Sequence, residues 1–324
     1  MTLPHLTQAQ APLTSEIDAV NEYGELHRVS IPAERALTVY VDNRELVTLM
    51  TLGANPELLV LGYLRNQRLV KQVADIESIT VDWEVGAAAV KTRHGIEDIE
   101  EKTAHRVVTT GCGQGSVFGG LMDEVDQIEL PVDACITQSQ LYGLVNTIRL
   151  KETTYKSAGS VHACALFSTA SGESEMLLFV EDVGRHNAID TIAGWMWMNM
   201  APTLPTACGS LPPGGAAAPA DRQSRICGPD LYDNAAGLVF YTTGRLTSEM
   251  VIKSAQMGVP VVVSRSGITQ MGHQVAEAVG LCAIGRATNK RFLCYTHAER
   301  LKLQLDLTAM SPSPSPSPSG RGQG

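Results

Sequence analysis

Three short apolar runs between Ala236 and Gly285 set the strongest limit on how this chain can fold. "AGLVFYTTG", "VPVVVSRSG" and "LCAIG" are strand-length and bounded by glycine or proline, as buried strands are. "RLTSEMVIKSAQMG" separates the first two and repeats apolar residues at helical spacing up to Gly258. A second helix, bearing Ile268, Met271, Val275, Ala276 and Val279, separates the second from the third. Strand–helix–strand–helix–strand at this spacing predicts a parallel sheet and an α/β fold class. In such sheets ligands bind beyond the carboxyl ends of the strands, where helix N-termini present free amides.

The first part of the chain reads differently. "RALTVYVDNRELVTLMTL" (Arg35–Leu52) alternates about Asp42-Asn43, which predicts a β-hairpin. "NPELLVLGYLR" predicts a helix with Asn55 as N-cap, Pro56 at its first position and Glu57 in its first turn. Strand-like runs follow near Ser78–Trp83 and Ala87–Thr92, so residues 26–135 form a β-rich part, while the polar residues 1–25 are expected to be mobile. From 136 to 302 an α/β ligand-binding part is expected. It opens with a helix over Ser139–Lys151, continues with a hairpin of "VHACALF" and "EMLLFVED" around "STASGES", and has a helix from near Asn187 through Trp195 and Trp197. Residues 201–230 are dominated by Pro, Gly and Ala and read as a disordered insertion; 303–324, ending in Ser-Pro repeats, read as a low-complexity tail.

A net charge of −9 argues against general nucleic-acid affinity. Gly244–Lys302 nevertheless holds eight Lys/Arg against three acids, a local bias that suits an anionic small ligand. No apolar run is long enough to span a bilayer, and the N-terminus lacks the pattern of a secretory signal. The seven cysteines include no CxxC pair, which fits a reduced, cytoplasmic chain without a zinc cage or other metal site.

Candidate site residues cluster in four places. Thr242-Thr243-Gly244-Arg245 and Ser264-Arg265-Ser266-Gly267 follow predicted strands, and each joins hydroxyls, a glycine and an arginine, a set suited to phosphate. "VEDVGRHNAID" (Val180–Asp190) crowds Glu181, Asp182, Arg185, His186, Asn187 and Asp190 at a strand-to-helix junction, costly unless paired or ligand-bound. An Asn187 cap and Asp182–Arg185 pairing would give that cluster a purely structural role, and His162 reads equally well as a core or a functional histidine. Cys112, in "VVTTGCGQGSVFGG", is flanked by Gly111, Gly113 and Gly115, which give a thiol reach and low steric shielding; it reads as a cysteine that carries something covalently or, alternatively, as an inert loop cysteine.

Taken together, "VEDVGRHNAIDTIAG", "TTGRLTSEMVIKSAQMGVPVVVSRSGIT" and "TTGCGQGS" resemble the FdhD family of formate dehydrogenase accessory sulfurtransferases. The likeness extends over about residues 30–302, apart from the insertion, and includes the hairpin and helix at Leu37–Leu64. The resemblance implies a cytidine-deaminase-like core and a cytoplasmic homodimer. It implies a persulfide carrier that takes sulfur from a cysteine desulfurase and gives it to the molybdenum–bis(molybdopterin guanine dinucleotide) cofactor destined for formate dehydrogenase. The persulfide cysteine falls on Cys112. The cofactor-binding segment falls on Arg286, Ala287, Thr288, Asn289, Lys290 and Arg291, with Arg286 where the family usually has an aromatic residue. Gly115 stands where a second loop cysteine is common, leaving Cys112 alone. Gly244, Arg245, Ser264 and Arg265 would hold the nucleotide, with Asp182, Arg185 and His186 shaping the junction beside it. Two rival readings are a deaminase-type hydrolase, which has His297-Ala298-Glu299 but no downstream PCxxC, and a non-enzymatic chaperone for the cofactor.

Overall fold

The computed structural model describes residues 3–96, 128–151, 154–200 and 235–309. In chain order the elements are β1 (His5–Leu6), β2 (Thr14–Val20), β3 (Leu26–Pro32), β4 (Arg35–Val41), β5 (Arg44–Thr51), α1 (Pro56–Asn66), β6 (Ile76–Asp82) and β7 (Ala87–Thr92). There follow β8 (Ile136–Thr137), α2 (Gln138–Lys151), α3 (Thr154–Ala158), β9 (His162–Ser168), β10 (Glu175–Asp182) and α4 (Arg185–Asn199). The last group is β11 (Leu238–Thr242), α5 (Ser248–Gln256), β12 (Val261–Ser264), α6 (Gln270–Ala278), β13 (Cys282–Thr288), β14 (Arg291–Cys294), β15 (Leu301–Lys302) and α7 (Asp306–Ala309).

The N-terminal part is a five-stranded sheet of order β1-β6-β7-β4-β5. Its β4–β5 hairpin turns at Asp42 and Asn43, which hold φ of +46° and +69°. Asp and Asn tolerate this left-handed region, and such a turn matches the twist of the strands it joins. One face of the sheet, with Leu37, Val39, Val41, Ile79, Ala88 and Val90, packs on Leu59, Val60, Tyr63 and Leu64 of α1. Asn55 stands at the N-cap of α1 with Pro56 behind it, although the Asn55 side chain makes no capping hydrogen bond.

The second sheet has six strands in the order β10-β9-β11-β12-β13-β14. β11, β12 and β13 are parallel, as the alternation of strand and helix predicts, whereas β9 and β14 run antiparallel to their neighbours and make the sheet mixed. Two tight turns reverse the chain there, so β10, β11, β12 and β13 all end on one edge. Alternating residues supply two buried layers. Leu166, Phe240, Val262 and Ala283 meet the helices α4, α5 and α6. Phe167, Val239, Tyr241, Val261, Val263 and Ile284 meet Leu141, Leu144, Val145 and Ile148 of α2.

Three expectations change. The first 25 residues are not featureless: β1 adds in parallel to β6, and β2 pairs with β3. Their polar composition conceals this because the attachment uses backbone pairing and one buried carboxylate. Glu57 of α1 accepts hydrogen bonds from Thr7 Oγ1 (2.7 Å) and Ala9 N (2.6 Å). The segment after 302 begins with a short helix, α7, before the Ser-Pro repeats. Ile268 precedes α6 and Met271 is exposed, so the apolar stripe of that helix is narrower than its sequence pattern. The insertion expected at 201–230 and the Cys112 loop lie outside the described residues.

The two sheets meet where α1 crosses α4. The crossing is built on Gly62 and Gly194: a β-carbon at Gly62 would stand 1.6 Å from the carbonyl oxygen of Asp190, and one at Gly194 would stand 2.0 Å from that of Leu58. Only hydrogen atoms fit between these backbones.

Candidate functional site

The edge formed by the carboxyl ends of β10, β11, β12 and β13 and the start of β9 gathers most of the residues singled out in the sequence. The loops here are stitched to one another. Arg265 N donates to Thr242 O (3.0 Å) and Arg286 N to Ser266 O (2.6 Å). Ser264 Oγ donates to Gly244 O (2.7 Å) and accepts from Ser266 N (3.0 Å). Thr242 Oγ1 accepts from Gly244 N (3.0 Å), and Thr243 Oγ1 accepts from Ala163 N (3.0 Å).

These bonds revise the roles of the small residues. The Ser264 hydroxyl and the Gly244 amide donate within the protein, and Thr242 is fully buried, so these groups are not donors waiting for phosphate; Thr243 Oγ1 only accepts, which leaves its O–H hydrogen uncommitted. Gly244 is required for a different close approach: a β-carbon there would stand 2.8 Å from Arg185 Cδ. What the loops present outward is charge. Arg245, Arg265 and Arg286 are all exposed on this edge. Behind them Arg185 is buried and His162 half-buried. The His162 pKa is lowered by burial and by the charges of Arg185 and Arg245.

The segment from Arg286 to Arg291 is the tip of the β13–β14 hairpin. Thr288 pairs with Arg291, and the turn places Asn289 at φ +52°. Thr288, Asn289, Lys290 and Arg291 are exposed with Arg286, but the methyl of Ala287 is spent in the core beside α2 and reaches no ligand. Lys290 O accepts from Tyr142 OH (3.1 Å), which ties the tip to α2.

Asp182 belongs to the scaffold. It is buried and accepts from Thr51 Oγ1 (2.5 Å), Leu52 N (3.1 Å), Gly184 N (3.0 Å) and Asn187 Nδ2 (2.9 Å). Asn187 also donates to Met50 O (2.6 Å). The acidic and amide residues of the VEDVGRHN run therefore bind β5 to the start of α4, but not by the Asn187 cap expected: Gly184 is the N-cap, and Asn187 lies in the first turn with its amide on Asp182 and Met50 O. The adjacent Glu181 accepts from Thr154 N (2.9 Å) and Tyr155 N (3.0 Å) and holds the first turn of α3.

Beneath Arg185 lies a buried ionic cluster in which Asp190 and His186 of that run meet three partners the sequence does not announce, Lys253, Glu249 and Asn66. Lys253 Nζ is 2.9 Å from Asp190 Oδ2 and 3.3 Å from Glu249 Oε1, and Asn66 Nδ2 donates to Asp190 Oδ1 (2.7 Å). The Lys253 pKa is raised because the two carboxylates outweigh its burial; burial raises that of Glu249. His186 Nε2 is 3.3 Å from Glu249 Oε2. Burial and the charges of Lys253 and Arg185 push the His186 pKa down to about 2, so this contact joins a neutral imidazole to the carboxylate and is not an ion pair. A folded-state pKa below the unfolded one means that protons bind the unfolded chain preferentially as the pH falls below about 6.5. Replacing His186 with Gln removes that penalty: between pH 7 and pH 5 the parent should lose about 2 kcal/mol more stability than His186→Gln. Equal losses in urea melts at the two pH values would contradict a neutral His186.

Two findings concern metals and aromatic residues. Among the described residues no group of three His, Cys, Asp or Glu is gathered that could hold a metal ion. His297 and Glu299, the partial deaminase signature, bond to each other (2.8 Å), and the second ring nitrogen of His297 lies 3.0 Å from Glu277 O. Tyr155, which sequence reasoning passed over, comes to the arginine edge: its ring centroid lies 5.8 Å from the guanidinium carbon of Arg265. A lone tyrosine in a short polar helix carries no spacing signal that could have marked it.

With this geometry in hand, the comparison with known proteins is decisive. The model of the FdhD/NarQ family matches residues 32–208 and 230–302. The chain belongs to the FdhD/NarQ family. Among its relatives are the sulfur carrier protein FdhD of Bacillus subtilis, 29% identical over 290 residues that cover 87% of this chain and 94% of the relative. The sulfur carrier protein FdhD of Bacillus pumilus is 27% identical over 274 residues, covering 83% and 88%. A solved structure from Desulfotalea psychrophila, described as a formate dehydrogenase accessory protein, matches the fold with a TM-score of 0.62 at 20% identity, covering 90% of this chain and all of that one. In this FdhD/NarQ member the family match spans the second sheet, the first sheet apart from β1, and the whole arginine-bearing edge. Cys112 falls within the matched range and outside the described residues.

Proposed function

We propose that this FdhD/NarQ protein is a sulfurtransferase that carries sulfur as a persulfide on Cys112. The Cys112 thiolate attacks the terminal sulfur of a cysteine desulfurase persulfide; the new S–S bond forms as the old one breaks, and the desulfurase thiolate leaves. The exchange is redox-neutral. The terminal sulfur is then delivered to molybdenum–bis(molybdopterin guanine dinucleotide), the substrate of the transfer, on its way to formate dehydrogenase. The protein acts in the cytoplasm as a homodimer, and its second sheet with the flanking helices is the core that the cytidine-deaminase-like resemblance implies.

The observation that carries this reading is the trio of exposed arginines, Arg245, Arg265 and Arg286, on adjoining loops at one sheet edge of an FdhD/NarQ chain. Guanidinium groups fit diphosphate oxygens in bidentate fashion, and three from separate loops suit a ligand with two nucleotide arms. Lys290 and Arg291 at the hairpin tip extend the same field. The Bacillus relatives, named as sulfur carriers, support the choice of sulfur as the cargo.

Incubation with a cysteine desulfurase and isotopically labelled cysteine tests it. Mass spectrometry should find one added sulfur atom on the Cys112 peptide, and Cys112→Ala should neither gain label nor support formate dehydrogenase activity. A Cys112→Ala protein that still supports that activity would make the chain a cofactor chaperone instead.

A further inference from the structure

We propose that Tyr155, with Arg265, seats the nucleobase of the ligand held at the arginine-bearing edge. This rests on the nucleotide reading above and adds to it the group that recognises the base. α3 is a single short turn, yet its position is fixed: the buried Glu181 carboxylate takes the amides of Thr154 and Tyr155 at 2.9 and 3.0 Å. Those amides are therefore not a binding site, and what α3 offers the edge is the tyrosine ring. Arg265 is fixed at its backbone by the bond from its amide to Thr242 O, and its guanidinium lies 5.8 Å from the ring centroid. Two planar groups, one aromatic and one cationic, thus meet at the rim that also carries Arg245 and Arg286. Tyr155 remains 42% exposed, so much of its surface is open to a further planar group.

A surface cation–π contact alone is worth about 0.5–1 kcal/mol and would need no neighbouring charges. The placement favours more than that. Phosphates held by the three arginines would leave the base of the same nucleotide within reach of a ring on the same edge, and every base has a face suited to stacking on an aromatic side chain or a guanidinium. Tyr295, also on this edge, is less suited. It packs against Gly285, where a β-carbon would stand 2.6 Å from the ring, so its surface is committed to the hairpin base.

The test uses the full chain and two probes, guanosine diphosphate and inorganic pyrophosphate, titrated calorimetrically against the parent, Tyr155→Ala and Tyr155→Phe. Tyr155→Ala should weaken guanosine diphosphate binding about tenfold, as loss of one stacking contact does, while pyrophosphate binding stays unchanged and Tyr155→Phe binds both as the parent does. If Tyr155→Ala binds guanosine diphosphate as tightly as the parent, the base seat is wrong while the arginine site stands. An equal loss for both probes would reduce Tyr155 to a support for Arg265 and also overturn it. A parent that binds neither probe would overturn the nucleotide reading and the base seat together.

Discussion

Adding one methyl group at Gly62 is expected to cost about 3 kcal/mol of stability or more, a fall in Tm of about 5 °C or more. The new β-carbon would stand 1.6 Å from Asp190 O, 2.6 Å from Asp190 C and 2.7 Å from Gly194 N. All three are backbone atoms of α4, so no rotamer change relieves the clash. The helix axes would have to separate, and both lie under buried side chains of two different hydrophobic clusters. Gly194→Ala should behave alike, since its β-carbon would stand 2.0 Å from Leu58 O. The control is Gly143→Ala in α2, where nothing lies within 4 Å and the site is exposed. There the better helix propensity of alanine should raise stability by up to about 1 kcal/mol. A Gly62→Ala protein melting within about 2 °C of the parent would show that the two helices do not touch backbone to backbone.

Removing the buried ammonium is the second large effect. Lys253→Met should lose about 3–5 kcal/mol, because Asp190 and Glu249 remain buried with no cation between them. The side chains of Lys253 and Asp190 are wholly inaccessible, so water cannot replace the missing charge. The loss comes from stranded carboxylates, not from lost attraction in the abstract, and this predicts a rescue. Asp190→Asn in the Lys253→Met background should recover stability in urea melts, since an amide costs far less to bury than a carboxylate. A double variant no better than the single one would place the penalty in packing, not in charge.

How much of this was legible depends on what each residue does in the fold. The parallel trio β11–β12–β13 shows in the sequence because strands buried on both faces must be apolar throughout, and Asp42-Asn43 shows because few residues accept a left-handed turn. β1 and β2 do not, since an edge strand or an exposed ribbon needs no apolar alternation. Gly62 reads as a weak position in an otherwise good helix; its partner lies in another helix far along the chain, and nothing local reports the crossing. Lys253 reads as a solvated lysine four residues after a glutamate, and only the packing of α4 on α5 reveals that both are interior. At the site the arginines were legible because small residues and a following arginine after a strand make a recognisable pattern. The same pattern offered Ser264 and Thr242 as donors where both are buried within the loops, because a hydroxyl serves a neighbouring loop as readily as a phosphate, and spacing alone does not distinguish them.

The Asp182 clamp has a consequence for anyone who recombines this chain with a relative. Its carboxylate sits on the second sheet, while two of its four donors, Thr51 and Leu52, come from the first. A chimera that imports β1 to β7 must bring a hydroxyl at the position of Thr51, or it leaves an interior anion short of a donor. The halves are separable as text but not as parts, and a crossover that ignores this would fail at the seam even if each half were native elsewhere.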